Sequence, residues 1–598
     1  MNDFFTLLDD ALHGQARLYR DYVRSDFLRA QDIARLDGGL AAAAAENLHA
    51  VLLADYAFGE ALHGLDTGGN GVLAVHYFAA LEVLDATQTA AWLAARDKGA
   101  PAGVAEAALE DTREDYLAAI AAIHAAIGRG ETYQINYTTR LHLCAYGQPL
   151  ALYRRLRERQ RVPYGGLAYL PDAAGAAFAL LSFSPELFVR IEDGLITAEP
   201  MKGTAPIVGD GADEARREAL RNDVKNRAEN VMIVDLLRND LGKIALTGSV
   251  RVPQLFAVNA FGKVWQMTST VQAALPANIS AAACLQAVYP CGSITGAPKR
   301  KSMEIIRALE ASPRGVYTGS LGFLEKNGTG FSGCLNVLIR SVVLREQAGV
   351  WQGSMGVGSG IVIDGNAEDE WAECAVKAAF VRDLPPTFGL IETMRFENGQ
   401  CALFARHKAR LFQAASRLGF AYRESEIIQA VQQAAAALPR GAHRVRLLLQ
   451  ADGTCCLKSE TVHDLPETTH SVIWAETPLA ANYLYRYKTD ARQVYDAGLR
   501  QAQAAGAFDV LYVNAAGELL EGARSNVFVR LHGQWYTPPA SLGILPGVMR
   551  AEILDNPQRY LGADSVQEKI LRREEVRHAD ALVLSNAVRG VVKVGWQD

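Results

Sequence analysis

A double proline, Pro385-Pro386, constrains the fold of this sequence more than any other feature, because it separates two different patterns. Proline lacks a backbone N–H and fixes φ, so the stretch RDLPPTF at 382–388 suits neither a helix interior nor a central strand. The chain has 598 residues, which is more than one hydrophobic core usually holds. We therefore predict two domains, residues 1–382 and 389–598, joined by a linker at 383–388.

Charge and cysteine spacing exclude several classes of function. The net charge of -6 and the lack of Lys/Arg runs leave no basic surface for nucleic acid. The start, MNDFFTLLDDALHG, has acids where a signal peptide needs basic residues, and no apolar run reaches membrane-spanning length. The eight cysteines include no CxxC pair, which disfavours a disulfide framework or a zinc site. We expect a cytoplasmic protein with reduced thiols that binds neither nucleic acid nor membrane.

One predicted hairpin brings an acid and an amine together. The segment SPELFVRIEDGLITAEPMKGT reads as a strand, an Asp-Gly turn and a second strand, which places Glu186 beside Lys202. A strict two-residue loop puts the two side chains on opposite faces, so their cooperation requires a bulge or a longer loop that shifts the register by one. From spacing alone, a weak surface ion pair at the hairpin end is the simpler interpretation. Lys202 as a nucleophile is the alternative.

Carboxylates also occur on two predicted helices. The segment 213–244 is predicted to be helical and carries Glu229, and a later helix places Glu370, Glu373 and Lys377 on one face. Carboxylates from separate helices suit Mg²⁺, with waters and an anionic substrate as further ligands. The alternative is a solvated helix face with a Glu373–Lys377 salt bridge.

A series of motifs in a fixed order carries a family resemblance. Between about 111 and 382 the chain contains GETYQINYTTR, SPELF, PMKGT, RAENVMIVDLLRNDL, PCGSITGAPK, RGVYTGSLGF, NVLIRSV and GVGSGIVIDGNAEDEWAE. This series resembles the chorismate-utilising enzymes, which include anthranilate, isochorismate, salicylate and aminodeoxychorismate synthases. Anthranilate synthases have alanine where Lys202 stands, whereas the aminodeoxychorismate enzymes have lysine. The sequence is therefore similar to component I of the aminodeoxychorismate synthases.

The resemblance implies roles for the residues singled out above. Lys202 would attack C2 of chorismate and expel the C4 hydroxyl, after which ammonia enters at C4. Glu186 would be the general acid/base, and Glu229, Glu370 and Glu373 would hold Mg²⁺. The positions matching the family's substrate pocket are Thr295, Tyr317, Arg340, Gly356, Gly358, Gly360 and Lys377. The sequence has no GxCxG stretch typical of an amidotransferase, so a separate glutamine amidotransferase subunit or free ammonia is implied.

The second part has its own resemblance. FARHKARL, YLYRYKTDARQVYD, VNAAGELLEGARSNVFVR, TPPASLGILPGVMRAEIL and VLSNAVRGVVKV resemble the fold-type IV pyridoxal-phosphate enzymes, which include transaminases and aminodeoxychorismate lyase. Lys488 falls where that family attaches pyridoxal 5'-phosphate, and Glu521 where a carboxylate meets the pyridine nitrogen. The positions matching the phosphate site are Arg410, Val548, Met549, Asn586 and Ala587. Relatives usually have an extra strand or two before GLIETMRF, and here only the double proline precedes it.

These resemblances imply an α+β protein, with a chorismate-binding α/β sandwich joined to a smaller fold-type IV α+β domain. The sequence GLIETMRFENGQCALF also predicts a hairpin around Asn398-Gly399. Together the two halves would convert chorismate to 4-aminobenzoate, a folate precursor, through 4-amino-4-deoxychorismate and release of pyruvate. The alternatives for the second half are a transaminase of branched-chain or D-amino-acid type and a non-catalytic partner domain. A homodimer through the C-terminal domain is also compatible with the resemblance.

Overall fold

The structure is a computed structural model that describes residues 3–262, 264–328, 330–466 and 470–596. The predicted domain ends at Met1 and Asp598 lie outside the described residues. The strands before the double proline are β1 (Phe5–Asp10), β2 (Gln15–Leu28), β3 (His49–Ala54), β4 (Leu73–Asp85), β5 (Gly103–Leu109), β6 (Gln134–Tyr146), β7 (Tyr164–Pro171), β8 (Ala177–Ser184), β9 (Leu187–Glu192), β10 (Leu195–Glu199), β11 (Met201–Pro206), β12 (Arg251–Phe261), β13 (Val264–Ala274), β14 (Gly296–Ala297), β15 (Ser320–Asn327), β16 (Gly330–Asn336), β17 (Ser341–Gln347) and β18 (Val350–Ile361). The helices of this part are α1 (Arg35–Ala45), α2 (Tyr56–Leu62), α3 (Ala86–Arg96), α4 (Arg113–Gly128), α5 (Pro149–Arg159), α6 (Asp213–Asn222), α7 (Val224–Gly242), α8 (Ala281–Val288), α9 (Lys299–Leu309) and α10 (Ala367–Arg382).

The second part contains two sheets and six further helices among its described residues. Its strands are β19 (Leu390–Glu397), β20 (Ala442–Leu449), β21 (Cys455–Thr461), β22 (His470–Trp474), β23 (Asp509–Val513), β24 (Leu519–Gly522), β25 (Asn526–Leu531), β26 (Gln534–Thr537), β27 (Val566–Glu568), β28 (Ala581–Asn586) and β29 (Gly590–Trp596). Its helices are α11 (Phe404–Leu418), α12 (Glu424–Ala436), α13 (Gln493–Ala504), α14 (Val548–Asp555), α15 (Pro557–Leu561) and α16 (Arg573–Arg577). Short 3₁₀ turns lie at Ala30–Asp32, Gly292–Ile294, Tyr483–Arg486 and Ala540–Leu542.

Strands β1 to β18 pair antiparallel in one continuous sheet. Its order is β5-β6-β18-β17-β8-β7-β1-β2-β4-β3-β15-β16-β9-β10-β13, with β11 and β12 both paired to β13. The short strand β14 pairs with the start of β6.

The first part has four layers: the two halves of the sheet lie in the middle, and one group of helices covers each outer face. The two halves of the sheet enclose a cluster that includes Tyr19, Phe78, Leu170 and Leu180. Helices α1, α2, α7 and α8 pack a second cluster on one half, and α3, α4, α5 and α10 pack a third on the other. This arrangement confirms the predicted α/β sandwich. No helix in the described part of the chain is both long and apolar enough to cross a bilayer.

In the second part a three-stranded sheet faces an eight-stranded one. The small sheet has the order β19-β20-β21, and the large sheet has the order β24-β23-β22-β29-β28-β25-β26-β27. Strand β19 and helix α11 also pack against the first part, since Tyr146 and Val350 share a hydrophobic cluster with Phe388, Leu390 and Leu411. The two parts are therefore in direct apolar contact.

The hairpin predicted at Asn398-Gly399 forms only as a turn. Asn398 and Gly399 both have positive φ values, +49° and +81°, as a tight turn requires. Beyond it, Gln400 makes one isolated bridge to Glu397, and the chain then enters α11 instead of a second strand. Strand β19 pairs with β20. The prediction of a second strand was wrong because α11 has a helical spacing of apolar residues that packs into the shared core.

Candidate active sites

A β-bulge sets the register between Glu186 and Lys202. Strands β9 and β10 pair in regular register from the Asp-Gly turn outward, and the pairing then shifts by one residue between Thr197 and Glu199. A shift of one residue moves the following side chains to the other face of the sheet. The bulge that cooperation between the acid and the amine requires is therefore present.

Glu186 is a buried acid, and its carboxyl group accepts a side-chain hydrogen bond from Ser293. Its Oε1 accepts a hydrogen bond of 2.6 Å from the Ser293 hydroxyl, and its side chain is nearly inaccessible to solvent. Burial raises the pKa of this carboxyl to about 7, and the Ser293 hydrogen bond and the charge of Lys202 oppose that rise. A carboxyl with a pKa near neutrality can donate a proton to a leaving group at neutral pH.

Lys202 lies in a narrow space beside an acid and a glycine. Its Nζ is 3.9 Å from Glu229 Oε2, and a Cβ at Gly360 would come within 2.8 Å of the same nitrogen. Burial lowers the pKa of this amine, whereas the charge of Glu229 raises it and that of Lys377 lowers it further. The amine therefore reaches its neutral, nucleophilic form more readily than a solvated lysine does.

The acids predicted for Mg²⁺ lie on α7 and α10. On α10, Glu373 pairs with Lys377 Nζ at 2.6 Å, and that amine also donates to the Gly358 carbonyl at 2.7 Å. The salt bridge considered as the alternative interpretation therefore forms. Burial raises the pKa of Glu370, a hydrogen bond from Ser359 lowers it, and the charge of Glu373 raises it again.

The spacing of these acids does not by itself make a metal site. Within the described ranges, no group of three or more His, Cys, Asp or Glu side chains is close enough together to hold a metal ion. Glu229 and Glu373 each have a lysine amine as partner. Three carboxylates match the oxygen ligands that Mg²⁺ prefers, but their present positions do not form a closed ligand set.

Two further residues predicted to bind the substrate, Thr295 and Tyr317, are buried. Thr295 Oγ1 donates to the Cys291 and Gly292 carbonyls at 3.1 Å, so its hydroxyl holds its own turn. The Tyr317 ring covers Gly356 so closely that a Cβ at Gly356 would lie 2.0 Å from the ring. Only glycine fits at that position.

Arg340 provides a cation without a partner. Its backbone has a φ of +50°, which is unusual for a non-glycine residue. Burial lowers the pKa of its guanidinium, and within the described chain that group makes no hydrogen bond or ion pair. A largely desolvated guanidinium gains much from a carboxylate partner, so Arg340 is suited to bind an acidic substrate.

Sequence reasoning missed two neighbours of the acid and the amine. Ser293 donates to Glu186, as described above, and Gln134 is buried with its Oε1 unpartnered. The Gln134 Nε2 lies 2.5 Å from the position that a Cβ at Gly360 would occupy, next to the amine of Lys202. Both residues stand inside quoted motifs, but nothing in their spacing indicates these contacts.

A second candidate site is a cavity of about 380 Å³ between the two sheets of the C-terminal part. The structure brings the whole set predicted for the cofactor to its walls: Arg410, Lys488, Glu521, Val548, Met549, Asn586 and Ala587. Burial lowers the pKa of the Lys488 amine to about 7, and the charges of Arg492 and Arg410 contribute. A lysine that is half neutral at pH 7 can attack a carbonyl carbon.

Glu521 is held in the cavity wall by three donors, of which the Asn526 amide is the most distant at 3.5 Å from Oε2. The Tyr495 hydroxyl donates to its Oε1 at 2.6 Å, and the Leu545 N–H donates to its Oε2 at 3.1 Å. Burial raises the pKa of Glu521 to about 7, against the effect of the Tyr495 hydrogen bond. A carboxyl in this setting can share a proton with a ring nitrogen of similar basicity.

Arg410 is fixed by a buried acid. Its Nε donates to Glu392 Oε1 at 2.9 Å and its Nη2 to Glu392 Oε2 at 2.6 Å. His407 Nδ1 lies 2.6 Å from the same Oε2. Burial opposes ionisation of Glu392, but the Arg410 charge and the His407 hydrogen bond hold its pKa at about 2. The bidentate ion pair with Glu392 orients the Arg410 guanidinium on the cavity wall.

The cavity also suits a phosphate group. Helix α14 begins at Val548, so the N–H groups of Val548 and Met549 lack helical acceptors and face the site that they line. Ser585 Oγ lines the cavity and is buried without a hydrogen-bond partner. An unpartnered buried hydroxyl, free helix N–H groups and Arg410 are the groups that a phosphate needs, so these residues fit pyridoxal 5'-phosphate.

Comparison with known proteins matches each part to a family. Residues 78–383 match the chorismate binding enzyme family, and residues 389–595 match the class IV amino-transferase family. Component 1 of the aminodeoxychorismate synthase of Salmonella typhimurium is 39% identical over 265 residues, which cover 44% of this chain and 55% of that protein. The chloroplastic aminodeoxychorismate synthase of Arabidopsis thaliana is 39% identical over 274 residues, 45% of this chain and 28% of that protein. The matching region thus spans about half the length of the bacterial relative.

The sandwich also resembles a solved structure. An isochorismate synthase of Escherichia coli described as menaquinone-specific superposes with a TM-score of 0.50 and 18% identity, covering 64% of this chain and 88% of that one. At this identity the likeness concerns the fold alone. It agrees with the α/β sandwich found for the first part.

Proposed function

Because this chain belongs to the chorismate binding enzymes, we propose that its first part aminates chorismate at C4 to give 4-amino-4-deoxychorismate. The observation that carries the proposal is the pair Glu186 and Lys202, which flank the bulged hairpin of β9 and β10 and are close enough for the charge of each to shift the pKa of the other. Burial raises the pKa of the acid to about 7, so a substantial fraction of it is protonated at neutral pH, and the neighbouring amine has a lowered pKa. A proton donor beside a neutral amine is what displacement of a hydroxyl by nitrogen requires.

Each residue has one task in this scheme. The neutral Lys202 amine forms a bond to C2 of chorismate, the ring double bond shifts, and the C4–O bond breaks. Glu186 gives its proton to the departing hydroxyl, which leaves as water. Ammonia then bonds to C4, the double bond returns, and Lys202 is released. Arg340, a buried guanidinium, would bind a carboxylate of the substrate.

We also propose that Mg²⁺ binds with the substrate at Glu229, Glu370 and Glu373. The hard oxygen donors of the three acids and the substrate carboxylate support this proposal. The carboxylates would have to exchange their lysine partners for the cation, because Glu229 and Glu373 are paired with amines. Ammonia would come from a separate glutamine amidotransferase subunit.

For the second part we propose elimination of pyruvate from aminodeoxychorismate to give 4-aminobenzoate. Pyridoxal phosphate, when bound at Lys488, supplies an electron sink for carbon acid chemistry. Lys488, whose pKa is lowered to about 7, would move a proton at the reacting carbon. Arg410, Val548, Met549, Asn586 and Ala587 hold the phosphate, and Glu521 meets the ring nitrogen. The product of the first part would thus be the substrate of the second.

One incubation tests the whole proposal. The purified chain is given chorismate, an ammonium salt, Mg²⁺ and pyridoxal phosphate, and 4-aminobenzoate and pyruvate are measured by chromatography. Equal amounts of both products support the two-step function. Aminodeoxychorismate without pyruvate limits the activity to the first part, and transfer of an amino group to a 2-oxo acid identifies the second part as a transaminase. Unchanged chorismate contradicts the proposal.

A further inference from the structure

Glu186 stands at one end of a buried chain of three side chains. Ser293 Oγ donates to Glu186 Oε1 at 2.6 Å, and Cys291 Sγ lies 3.2 Å from the same Ser293 oxygen. All three side chains are almost completely buried. Burial, reinforced by the charge of Glu186, raises the pKa of the Cys291 thiol to about 12, so the thiol keeps its proton. The Ser293 oxygen donates its one proton to Glu186, so it can only accept in its contact with Cys291. The protonated thiol is therefore the donor in that contact.

The direction of the two hydrogen bonds follows from the number of protons that Ser293 and Cys291 can donate. Ser293 has a single hydroxyl proton, which it donates to Glu186 Oε1, the one carboxylate oxygen that it reaches among the described residues. Cys291 donates to Ser293, and Ser293 donates to Oε1. The carbonyl oxygen of a carboxylic acid is a better acceptor than its hydroxyl oxygen, so a short hydrogen bond to Oε1 favours the proton on the other oxygen. The proton of neutral Glu186 is therefore on Oε2.

We infer that Ser293 is a positioning residue that fixes the acidic proton of Glu186 on Oε2, and that Cys291 fixes the Ser293 hydroxyl in turn. This inference rests on the proposed amination and adds the atom from which the proton leaves. When Oε2–H breaks and the proton joins the C4 oxygen, the C4–O bond breaks and water departs. The electron pair of the O–H bond remains on the carboxylate, whose charge the Ser293 hydrogen bond stabilises.

The surrounding turn is rigid enough for this role. Ser293 belongs to the 3₁₀ turn Gly292–Ile294, and a Cβ at Gly292 would lie 2.5 Å from Leu236 Cδ2 on α7. Thr295 Oγ1 closes the turn from the other side through the Cys291 and Gly292 carbonyls. The titratable groups that face Glu186 are Lys202 on β11 and the Cys291 thiol. Replacing the neutral Ser293 hydroxyl changes none of these charges.

The test compares Ser293→Ala, Ser293→Thr and the control Ser320→Ala in the full chain. Ser320 is a buried serine on β15 that donates to the Asn336 carbonyl at 2.6 Å and does not contact Glu186. Chorismate consumption with ammonium chloride is followed across pH. For Ser293→Ala we expect kcat to fall at least about tenfold with an unchanged KM for chorismate, because one hydrogen bond to a forming charge is lost.

The pH profile separates positioning from general damage. The Ser293 hydrogen bond lowers the pKa of Glu186, so its loss should move the alkaline limb of kcat to higher pH while the maximum falls. Ser293→Thr should restore both features, and Cys291→Ser should keep them. A wild-type kcat in Ser293→Ala, or an alkaline limb that does not move in Ser293→Ala, overturns the inference. A wild type that does not consume chorismate overturns the proposed function instead.

Discussion

Lys202 Nζ lies 3.9 Å from Glu229 Oε2, so the predicted nucleophile and a predicted metal ligand are neighbours across β11 and α7. The distance is at the outer limit of an ion pair, and the two groups hold each other without a close hydrogen bond. Binding of a cation by Glu229 would remove its negative charge from the amine and lower the amine pKa further. Metal binding and activation of the nucleophile would therefore favour each other.

Lys202→Ala should abolish amination at C4. The substitution removes the nitrogen that bonds to C2 and leaves the surrounding walls in place, so we expect a loss on the order of 10³-fold or more. Aminodeoxychorismate is measured by chromatography after incubation with ammonia. Lys301→Ala is the control, because Lys301 is a half-buried lysine on α9 that pairs only loosely with Glu131 and Glu304. Full activity of Lys202→Ala would exclude a covalent role, whereas a small yield of anthranilate would agree with direct attack at C2.

The pH dependence of amination should report Glu186. Its pKa is raised to about 7, so the proton donor is present below that pH and is lost as the pH rises through it. We expect kcat to decline above about pH 7, and Glu186→Gln to lose about 10² to 10⁴ in rate together with this dependence. Initial rates between pH 5 and 9, with a constant ionic strength, provide the measurement. An alkaline limb that persists in Glu186→Gln would assign it to another group.

The hairpin around Asp193-Gly194 shows which structural features can be predicted from the sequence and which cannot. The period of two and the turn residues predict both strands, and they also show that a shift of one residue is needed. They do not predict where the bulge lies, because β10 pairs with β13 as well as β9, and β9 with β16. The same limit applies to Ser293, which reaches Glu186 across 107 positions of the chain. Contacts of this kind depend on how distant elements pack, which local patterns do not record.

Glu373→Gln should raise the Mg²⁺ concentration needed for half-maximal amination. An amide is a weaker ligand than a carboxylate for a hard cation, and the change also frees Lys377 from its 2.6 Å ion pair. Rates are measured over a series of Mg²⁺ concentrations after treatment with a chelator. Glu368→Gln is the matched control, since Glu368 is an exposed acid of the same helix that pairs with Arg113. An equal Mg²⁺ requirement in both variants would leave Glu373 with the salt bridge alone.

Glu392→Gln should weaken binding of pyridoxal phosphate. The variant removes the charge that orients Arg410 through two hydrogen bonds, and we expect the Kd to rise by about tenfold. Cofactor titration followed by absorbance gives the Kd without any turnover. Glu397→Gln on the same strand is the control, because Glu397 is exposed and pairs with Arg395. Unaltered binding in Glu392→Gln, with a folded variant by circular dichroism, would show that Arg410 holds its position without this acid.

Lys488→Ala separates the two proposed activities in one assay. With chorismate, Mg²⁺, ammonia and pyridoxal phosphate, the wild type should release 4-aminobenzoate and pyruvate, whereas the variant should accumulate aminodeoxychorismate. The amine of Lys488 has its pKa lowered to about 7 by burial, then by the charges of Arg492 and Arg410, and no other lysine lines the cavity among the described residues. Amination should continue because Glu186 and Lys202 lie in a different core, and independent sites give separable losses.

The cofactor provides a second readout for the same variant. The wild type should show a visible absorption band that borohydride removes, and Lys488→Ala should lack it, whereas Lys569→Ala, an exposed lysine paired with Glu575, should keep it. If Lys488→Ala still makes 4-aminobenzoate at the wild-type rate, Lys488 is not the residue that holds the cofactor. If amination is lost as well, the apolar contact of Tyr146 and Val350 with Phe388 and Leu390 transmits the damage between the parts. Truncating Phe388 to alanine in the wild type would then reproduce the loss of amination without touching either site.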